Sequence, residues 1–399
     1  MAKITVLKGR EGDRSPFLRG ILVQSLVNAG LPFADAYELA QQVRNDLQET
    51  QEITSALLRA RVADMLEARH GRALRNTYEA RQRQEAGIIV HTPTRSAPFS
   101  AGILAHSLEA CGIAPEVALQ GARKVYASLR QAGHGEIDHR ALRRVIYRCL
   151  SEQCGAGVAE RYLSWRRFEN SGDALILLVG GTTGSGKSTV SAELAYRMNI
   201  SRSQSTDMMR EIIRAYLSPQ VVPTLGYSSF EAWRGLPGSI EGQSLDIENL
   251  VIAGFQSQFS AMRLALEATI NRAIRERHHL IVEGVHVVPT ELNLDVRSSN
   301  AIVIPVMLAT MKKSLLRKQL ERHDRESSGQ PKSSRYLEKL GDIWELQSWL
   351  LSEADRAGIP IIQNWYIEDT VREALEHVTE IIMKHYPPHV PGKDDGVWH

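Results

Sequence analysis

The chain has 399 residues, 43% of them hydrophobic and 24% charged, with a formal net charge of +2. At about 150 residues per domain this length predicts two or three domains, and the composition excludes a disordered, collagen-like or low-complexity chain. The charge balance calls for neither nucleic acid nor a membrane as partner, the longest clean apolar run (residues 174–179) is far short of the roughly 18 residues of a membrane span, and residues 1–10 show no signal-peptide pattern. Cys111, Cys149 and Cys154 have no metal-ligand spacing and make no disulfide framework. Small buried cysteines in a reducing cytoplasm are the expectation.

The first half is internally repeated. Residues 16–26 (PFLRGILVQSL) match residues 98–108 (PFSAGILAHSL) at an offset of 82. The match continues through Gly30/Gly112, Ala36/Ala118, Ala40/Ala122, Val43/Val125 and Leu47/Leu129. Two extra residues in the second copy then set the offset to 84 for Ile53/Ile137, Leu58/Leu142, Leu66/Leu150, Gly71/Gly155 and Tyr78/Tyr162. The spacing predicts two similar units over 1–85 and 86–168. Each opens with a short β-rich run, Ile4-Thr5-Val6-Leu7 or Ile88-Ile89-Val90, followed by turn residues. Helices come next: Ile21, Leu22, Ser25, Leu26 and Ala29 fall at helical spacing, and Gly30 is a plausible stop.

The Pro-Phe-x-x-Gly-Ile-Leu pattern, with a strand before it and helices after it, resembles the ATP-cone, a small nucleotide-binding regulatory module. The first copy keeps the charged run Lys8-Gly9-Arg10-Glu11-Gly12-Asp13-Arg14, similar to the hairpin that meets phosphates in that family. The second copy has His91-Thr92-Pro93-Thr94-Arg95-Ser96 there, which carries less charge. The resemblance implies a nucleotide site in the first copy. The alternative is that both copies only pack together or join chains into a homo-oligomer.

Residues 161–173 turn polar, and a boundary is expected near Ser171. From Leu175 strands and helices alternate, the pattern of an α/β domain with a parallel sheet, expected over 173–386. Residues 387–399 have no periodicity and are expected to be a mobile tail. Residues 175–179 (LILLV) read as a buried central strand. Directly after it stand Gly181, Thr182, Thr183, Gly184, Ser185, Gly186, Lys187 and Ser188, then Thr189: a full Gly-x-x-x-x-Gly-Lys-Ser/Thr phosphate loop between a strand and a helix. The glycines let the backbone wrap phosphate oxygens, whose charge the loop N–H groups and the helix N-terminus offset. Lys187 is expected to reach the β- and γ-phosphates, and the Ser188 hydroxyl to hold Mg²⁺. No Asn-Lys-x-Asp guanine-reading motif is present. Residues 279–284 (HLIVEG) form an apolar strand ending in Glu283, the carboxylate that the second metal-holding motif needs. About 100 residues separate it from Lys187, ordinary for a small-molecule kinase.

After the loop helix comes Ser205-Thr206-Asp207-Met208-Met209-Arg210-Glu211. Asp207 is the candidate to orient or deprotonate an acceptor hydroxyl, with Arg210 as anion anchor; the other reading is that Asp207 caps the helix starting at Met208. Residues 201–204 (SRSQ) are poorly suited to a buried strand. Residues 314–335 hold six basic side chains around Gly329 and Pro331 and read as a lid, with Arg322 and Arg325 as the candidates to meet the transferring phosphoryl. His286 stands at a strand's C-terminal end and is a candidate substrate contact. Phe230 and Trp233 could line a cleft or belong to the core.

Together, residues 180–189, Ser205-Thr206-Asp207 with Arg210-Glu211, residues 228–233 (SSFEAW), 281–286 (IVEGVH), 335–338 (RYLE) and 358–364 (GIPIIQN) resemble 2-phosphoglycerate kinase. The resemblance spans about 173–383. It implies ATP with Mg²⁺ and a small phosphorylated acceptor, with 2,3-bisphosphoglycerate as product. A duplicated N-terminal unit departs from the single segment expected of that family. The alternatives are a related kinase acting on an inositol phosphate or a nucleotide sugar, and a nucleotide-sensing regulator.

Overall fold

The computed structural model describes residues 5–8, 13–47, 52–84, 88–92, 96–133, 135–237, 247–296, 300–327 and 333–390. The chain divides into two compact units, residues 1–170 with 379–399, and residues 171–378.

In the first unit one element order occurs twice. The first copy runs β1 (Thr5–Lys8), β2 (Asp13–Pro16), α1 (Arg19–Asn28), α2 (Phe33–Asp46), β3 (Glu52–Thr54), α3 (Ser55–His70) and α4 (Arg72–Gln84). The second runs β4 (Ile89–His91), β5 (Ser96–Pro98), α5 (Ala101–Glu109), α6 (Pro115–Gln131), β6 (Glu136–Asp138), α7 (His139–Cys154) and α8 (Ala156–Ser171). Each copy has an antiparallel hairpin whose first strand also pairs in parallel with a short third strand. The register makes Val6 and Val90 equivalent, since they face Ile53 and Ile137. The first hairpin carries one more residue pair, Lys8 opposite Asp13. That accounts for the offset of 84 at the strand against 82 at the Pro-Phe pair. Matching caps end the repeated helices. Thr54 and Asp138 side chains accept from the N–H groups of Leu57 and Arg140, and Gly71 and Gly155 stop α3 and α7 at φ 86° and 87°. The side chains of Lys8 and Arg14, and all of Arg10, lie outside the described residues.

The two copies meet where α1 crosses α5. A Cβ on Gly102 would stand 2.3 Å from the Cα of Ile21, and one on Gly20 would stand 2.8 Å from the Gly102 carbonyl oxygen. Both positions must therefore be glycine for the backbones to approach this closely. Beside the crossing, the buried Arg19 guanidinium reaches Glu109 at 3.4 Å and Gln41 at 2.8 Å, and lies over the Tyr37 ring at 4.1 Å. This face is filled within the chain.

The second unit is built on β7 (Ala174–Gly180), α9 (Lys187–Arg197), β8 (Ser203–Ser205), α10 (Thr206–Tyr216), α11 (Ile247–Arg275), β9 (Leu280–Gly284), β10 (Ala301–Ala309), α12 (Lys313–Ser327), α13 (Ser333–Glu338), α14 (Leu340–Arg356), β11 (Ile361–Gln363) and α15 (Ile367–His385). Its five strands are all parallel and lie in the order β11-β10-β7-β9-β8. Strand β7 is central, and every one of its residues is buried. Leu175, Ile176, Leu177, Leu178 and Val179 each contribute about 1.5–3 kcal/mol of burial relative to exposure, which pins the loop that follows to the sheet's C-terminal edge. Strand β8 explains why residues 201–204 look unlike a core strand: it is a three-residue edge strand whose side chains are largely exposed.

The C-terminal boundary differs from the expected 386. From Thr379 onward the chain groups with the first unit. There Tyr386 packs edge-on against Phe168, and Arg167 donates to the Pro387 carbonyl. Of the expected tail, residues 391–399 lie outside the described residues.

Candidate active site

The glycines of residues 181–188 hold backbone conformations that a side chain would obstruct. Gly181, Gly184 and Gly186 have φ of 141°, 83° and 81°. A Cβ on Gly186 would stand 2.1 Å from the Asn364 amide nitrogen. Helix α9 starts at Lys187, so its unpaired N–H groups and dipole point into the loop. Lys187 is 8% exposed, and its Nζ donates to the Thr182 carbonyl at 2.7 Å. Burial holds this ammonium below the usual lysine range, while the Glu283 and Asp207 charges act the other way. Ser185 Oγ donates to the same carbonyl at 2.9 Å. Thr183 is half-buried, and Thr189 is exposed on the first turn of α9.

Glu283 is the last residue but one of β9, the strand beside β7, with Val179 as its direct partner. Ser188 Oγ donates to its carboxylate at 3.1 Å. Two of the predicted site residues, 95 positions apart, are thus in direct contact. Asp207 lies across from them at the start of α10. It is not the cap: Ser205 is, its Oγ accepting from the Asp207 N–H at 3.3 Å. The exposed Asp207 carboxylate is left outside the capping interaction. One turn on, Arg210 donates to the Tyr227 carbonyl at 2.5 Å and pairs with Glu211 at 3.0 Å.

One expectation changes and one open choice is resolved. His286 does not face a substrate: it is fully buried, with Nε2 2.8 Å from Gln258 Oε1, Nδ1 3.4 Å from Thr206 Oγ1, and its ring stacked on Phe255. Phe230 belongs to the core of this unit, and Trp233 packs against it half-buried. Arg322 and Arg325 fall on α12, and their side chains lie outside the described residues.

Burial lowers the His286 pKa from 6.5 to about 4, with the Asp207 charge opposing and the Arg210 and Lys187 charges reinforcing the shift. Below pH 6.5 the unfolded chain takes up a proton that the folded ring refuses until about pH 4. Stability is therefore expected to fall across that window as pH drops, by up to about 3 kcal/mol from this group. Thermal unfolding at pH 7 and pH 4.5, wild type beside His286→Gln, checks it. The variant should lose less stability on acidification; an equal loss contradicts the assignment.

Residues far from the loop in the chain hold it from its other side. Asn364, just past β11, donates to the Ser185 carbonyl at 2.9 Å and accepts from Thr370 Oγ1 at 3.0 Å. Its own carbonyl accepts from Gln319, which in turn accepts from Thr310 Oγ1 at 2.6 Å. Gln347 grips both backbone groups of Thr310 and meets Thr182 Oγ1 at 3.5 Å. Beyond Asn364, Trp365 and Tyr366 are 49% and 73% exposed, with Met311 exposed as well and Lys312 Nζ 5.5 Å from the Trp365 ring centre. Polar residues ending an otherwise apolar strand, Gln363 and Asn364, were the available signal.

A central strand running into a glycine-lysine-serine loop, a carboxylate on the neighbouring strand touching that serine, and an acidic helix start across the edge define a P-loop kinase. The relatives agree. The chain is 33% identical over 285 residues to 2-phosphoglycerate kinase of Pyrococcus horikoshii, which spans 71% of this chain and 91% of the relative. The enzymes of the same name from Pyrococcus furiosus and Methanocaldococcus jannaschii are each 34% identical, over 283 and 293 residues, covering 71% and 73% of this chain and 90% and 91% of theirs. This chain belongs to the 2-phosphoglycerate kinase family. No protein-family model matches it. The alignments are longer than residues 171–378, so they take in part of the repeated unit as well. The relatives are shorter than this chain by about one repeat.

Proposed function

We propose that the protein transfers the γ-phosphoryl group of ATP to the free hydroxyl of 2-phosphoglycerate, giving 2,3-bisphosphoglycerate and ADP. The observation that carries this reading is the set Lys187, Ser188, Glu283 and Asp207 gathered at one sheet edge, in a chain whose relatives bear that enzyme's name. The loop N–H groups and Lys187 hold the β- and γ-phosphates. Ser188 and Glu283 are hard oxygen donors already in contact, which suits Mg²⁺, an ion that takes few protein ligands and keeps phosphate and water for the rest. When bound, the ion offsets charge on the phosphate oxygens. Among the described residues no cluster of three or more His, Cys, Asp or Glu offers a larger metal site.

Asp207 accepts the proton of the acceptor hydroxyl as its oxygen bonds to the γ-phosphorus and the bond to the β-phosphate oxygen breaks. Arg210 anchors the acceptor's anionic groups, and Arg322 and Arg325, which fall on α12, are the basic residues proposed to meet the transferring phosphoryl. The nucleotide base has two ways to leave the loop. On the β9–β8 side it meets Glu283, Asp207 and Arg210, all charged. On the β10–β11 side it meets Met311, Trp365 and Tyr366, whose exposed faces suit an aromatic ring. The base takes the second.

Incubation with ATP and, separately, 2-phosphoglycerate, 3-phosphoglycerate, inositol phosphates and nucleotide sugars, with product masses measured, tests the reaction. Stoichiometric product from another acceptor and none from 2-phosphoglycerate sinks the reading. For the base, Trp365→Ala is expected to raise the KM for ATP about tenfold, one stacking interaction's worth, with kcat little changed. An unchanged KM places the base elsewhere.

A further inference from the structure

Two buried polar side chains, His286 and Gln258, sit behind the acceptor helix and take no part in the chemistry above. Gln258 is fully buried on α11. Its amide nitrogen donates to two backbone carbonyls, Thr224 at 2.5 Å and Tyr227 at 3.0 Å. With both amide protons so used, the oxygen is the atom that meets His286 Nε2 at 2.8 Å. Nε2 must then carry the ring proton. Nδ1 is left as an acceptor, and the group it faces is the Thr206 hydroxyl at 3.4 Å. The Phe255 ring, 5.5 Å away and tilted by 20°, limits rotation of the imidazole.

Both ends of this chain of contacts return to one helix. Thr206 is the first residue of α10 and directly precedes Asp207. The Tyr227 carbonyl held by Gln258 also accepts from Arg210, four residues further along α10. The path thus leaves the helix at Thr206, passes through His286, Gln258 and Tyr227, and rejoins it at Arg210, bracketing Asp207. Thr206 is itself fully buried, and it fits only because residue 284 is glycine: a Cβ there would stand 1.8 Å from its Oγ1.

We propose that His286 is a positioning residue: as the Nε2–H tautomer bridging Thr206 and Gln258, it fixes the first turn of α10 and so aims Asp207 and Arg210 at the acceptor. The proposal rests on the reading that α10 faces the acceptor. A fully buried ring, one nitrogen committed as donor and the other as acceptor, acts here through its hydrogen bonds and exchanges no proton with substrate.

The test uses full-length protein with three substitutions. His286→Leu removes both ring contacts. His286→Gln restores an N–H donor toward Gln258. Thr206→Val is isosteric and cuts the same path where it enters α10, so it carries the test should His286→Leu fail to fold. His286→Leu and Thr206→Val are expected to lower kcat/KM for the acceptor at least tenfold and to leave the KM for ATP within twofold. His286→Gln should recover most of the loss. The nitrogen-15 spectrum of the wild-type ring should show the neutral Nε2–H form, unchanged from pH 8 to pH 5.5. Acceptor kinetics within twofold of wild type in both disruptive variants overturn the proposal. So does an Nδ1–H ring, or a titration near pH 6.5 that disappears from the rate profile in His286→Gln. Wild-type turnover of 2-phosphoglycerate is the separate check on function. If another acceptor is phosphorylated instead, the functional reading falls and the same variant ratios are taken on that acceptor.

Discussion

Replacing Lys187 with alanine is expected to lower turnover by about 10³-fold or more while leaving a cooperatively unfolding protein. The reasons are separable. For catalysis, Lys187 is the cation at the head of the phosphate loop, and a preorganised charge of this kind in a site sheltered from water stabilises the charge that spreads over the phosphoryl oxygens. For stability, its ammonium is buried and below its usual pKa, bonded to the Thr182 carbonyl. Burying that charge is costly, and its loss leaves a carbonyl that Ser185 Oγ still satisfies. The melting temperature should therefore stay within a few degrees of wild type. Product mass against time, with thermal unfolding of the same preparation, settles both halves. Turnover within tenfold of wild type would remove Lys187 from the chemistry, and loss of cooperative unfolding would make it structural.

Asp207→Asn is expected to reduce kcat by about 10²–10⁴-fold, the usual range for loss of a positioned base. The KM for ATP should barely move. The substitution keeps size and hydrogen-bonding capacity, and the helix keeps its cap because Ser205 supplies it. A fall in kcat therefore reports proton transfer or hydroxyl orientation and not a frayed α10. The opposite pattern, ATP affinity lost with kcat kept at saturation, would move Asp207 to the nucleotide side of the cleft.

How far the sequence reaches differs from one element to the next. The phosphate loop and Glu283 are legible because each depends on a local pattern, an apolar strand followed at fixed spacing by the residues that carry the chemistry. The edge strand β8 is not, since an edge needs no apolar side chains and three residues give no period. His286 stands at a strand's C-terminal end, where ligands often gather, yet sequence position does not say which way a ring points. Its burial follows from α11 crossing behind it with Phe255 and Gln258, a contact made by tertiary packing. Asn364 is 179 residues from the Ser185 carbonyl it holds, and Gln347 is 165 from Thr182. A polar residue after an apolar strand marks Asn364 as unusual, but nothing local says which distant group such a residue holds. The repeats, by contrast, announce themselves by self-similarity, down to the shared glycines that end α3 and α7.

The α1–α5 crossing brings two similar units face to face. Were it formed by two identical chains, each side would carry the same residues, and any pairing between them would occur twice or not at all. Here Arg19 meets Glu109, while the positions related by the repeat, Ala101 and Val27, are both apolar. One half of the contact holds an ion pair and the half equivalent to it in the repeat does not. A substitution in one copy leaves the other untouched, so one repeat is free to keep a charged hairpin while the other loses it, without undoing their association. Joining the copies in one polypeptide also fixes their ratio at one to one and makes their pairing independent of protein concentration. The two similar units are thereby a single asymmetric part, whose two sides are free to differ.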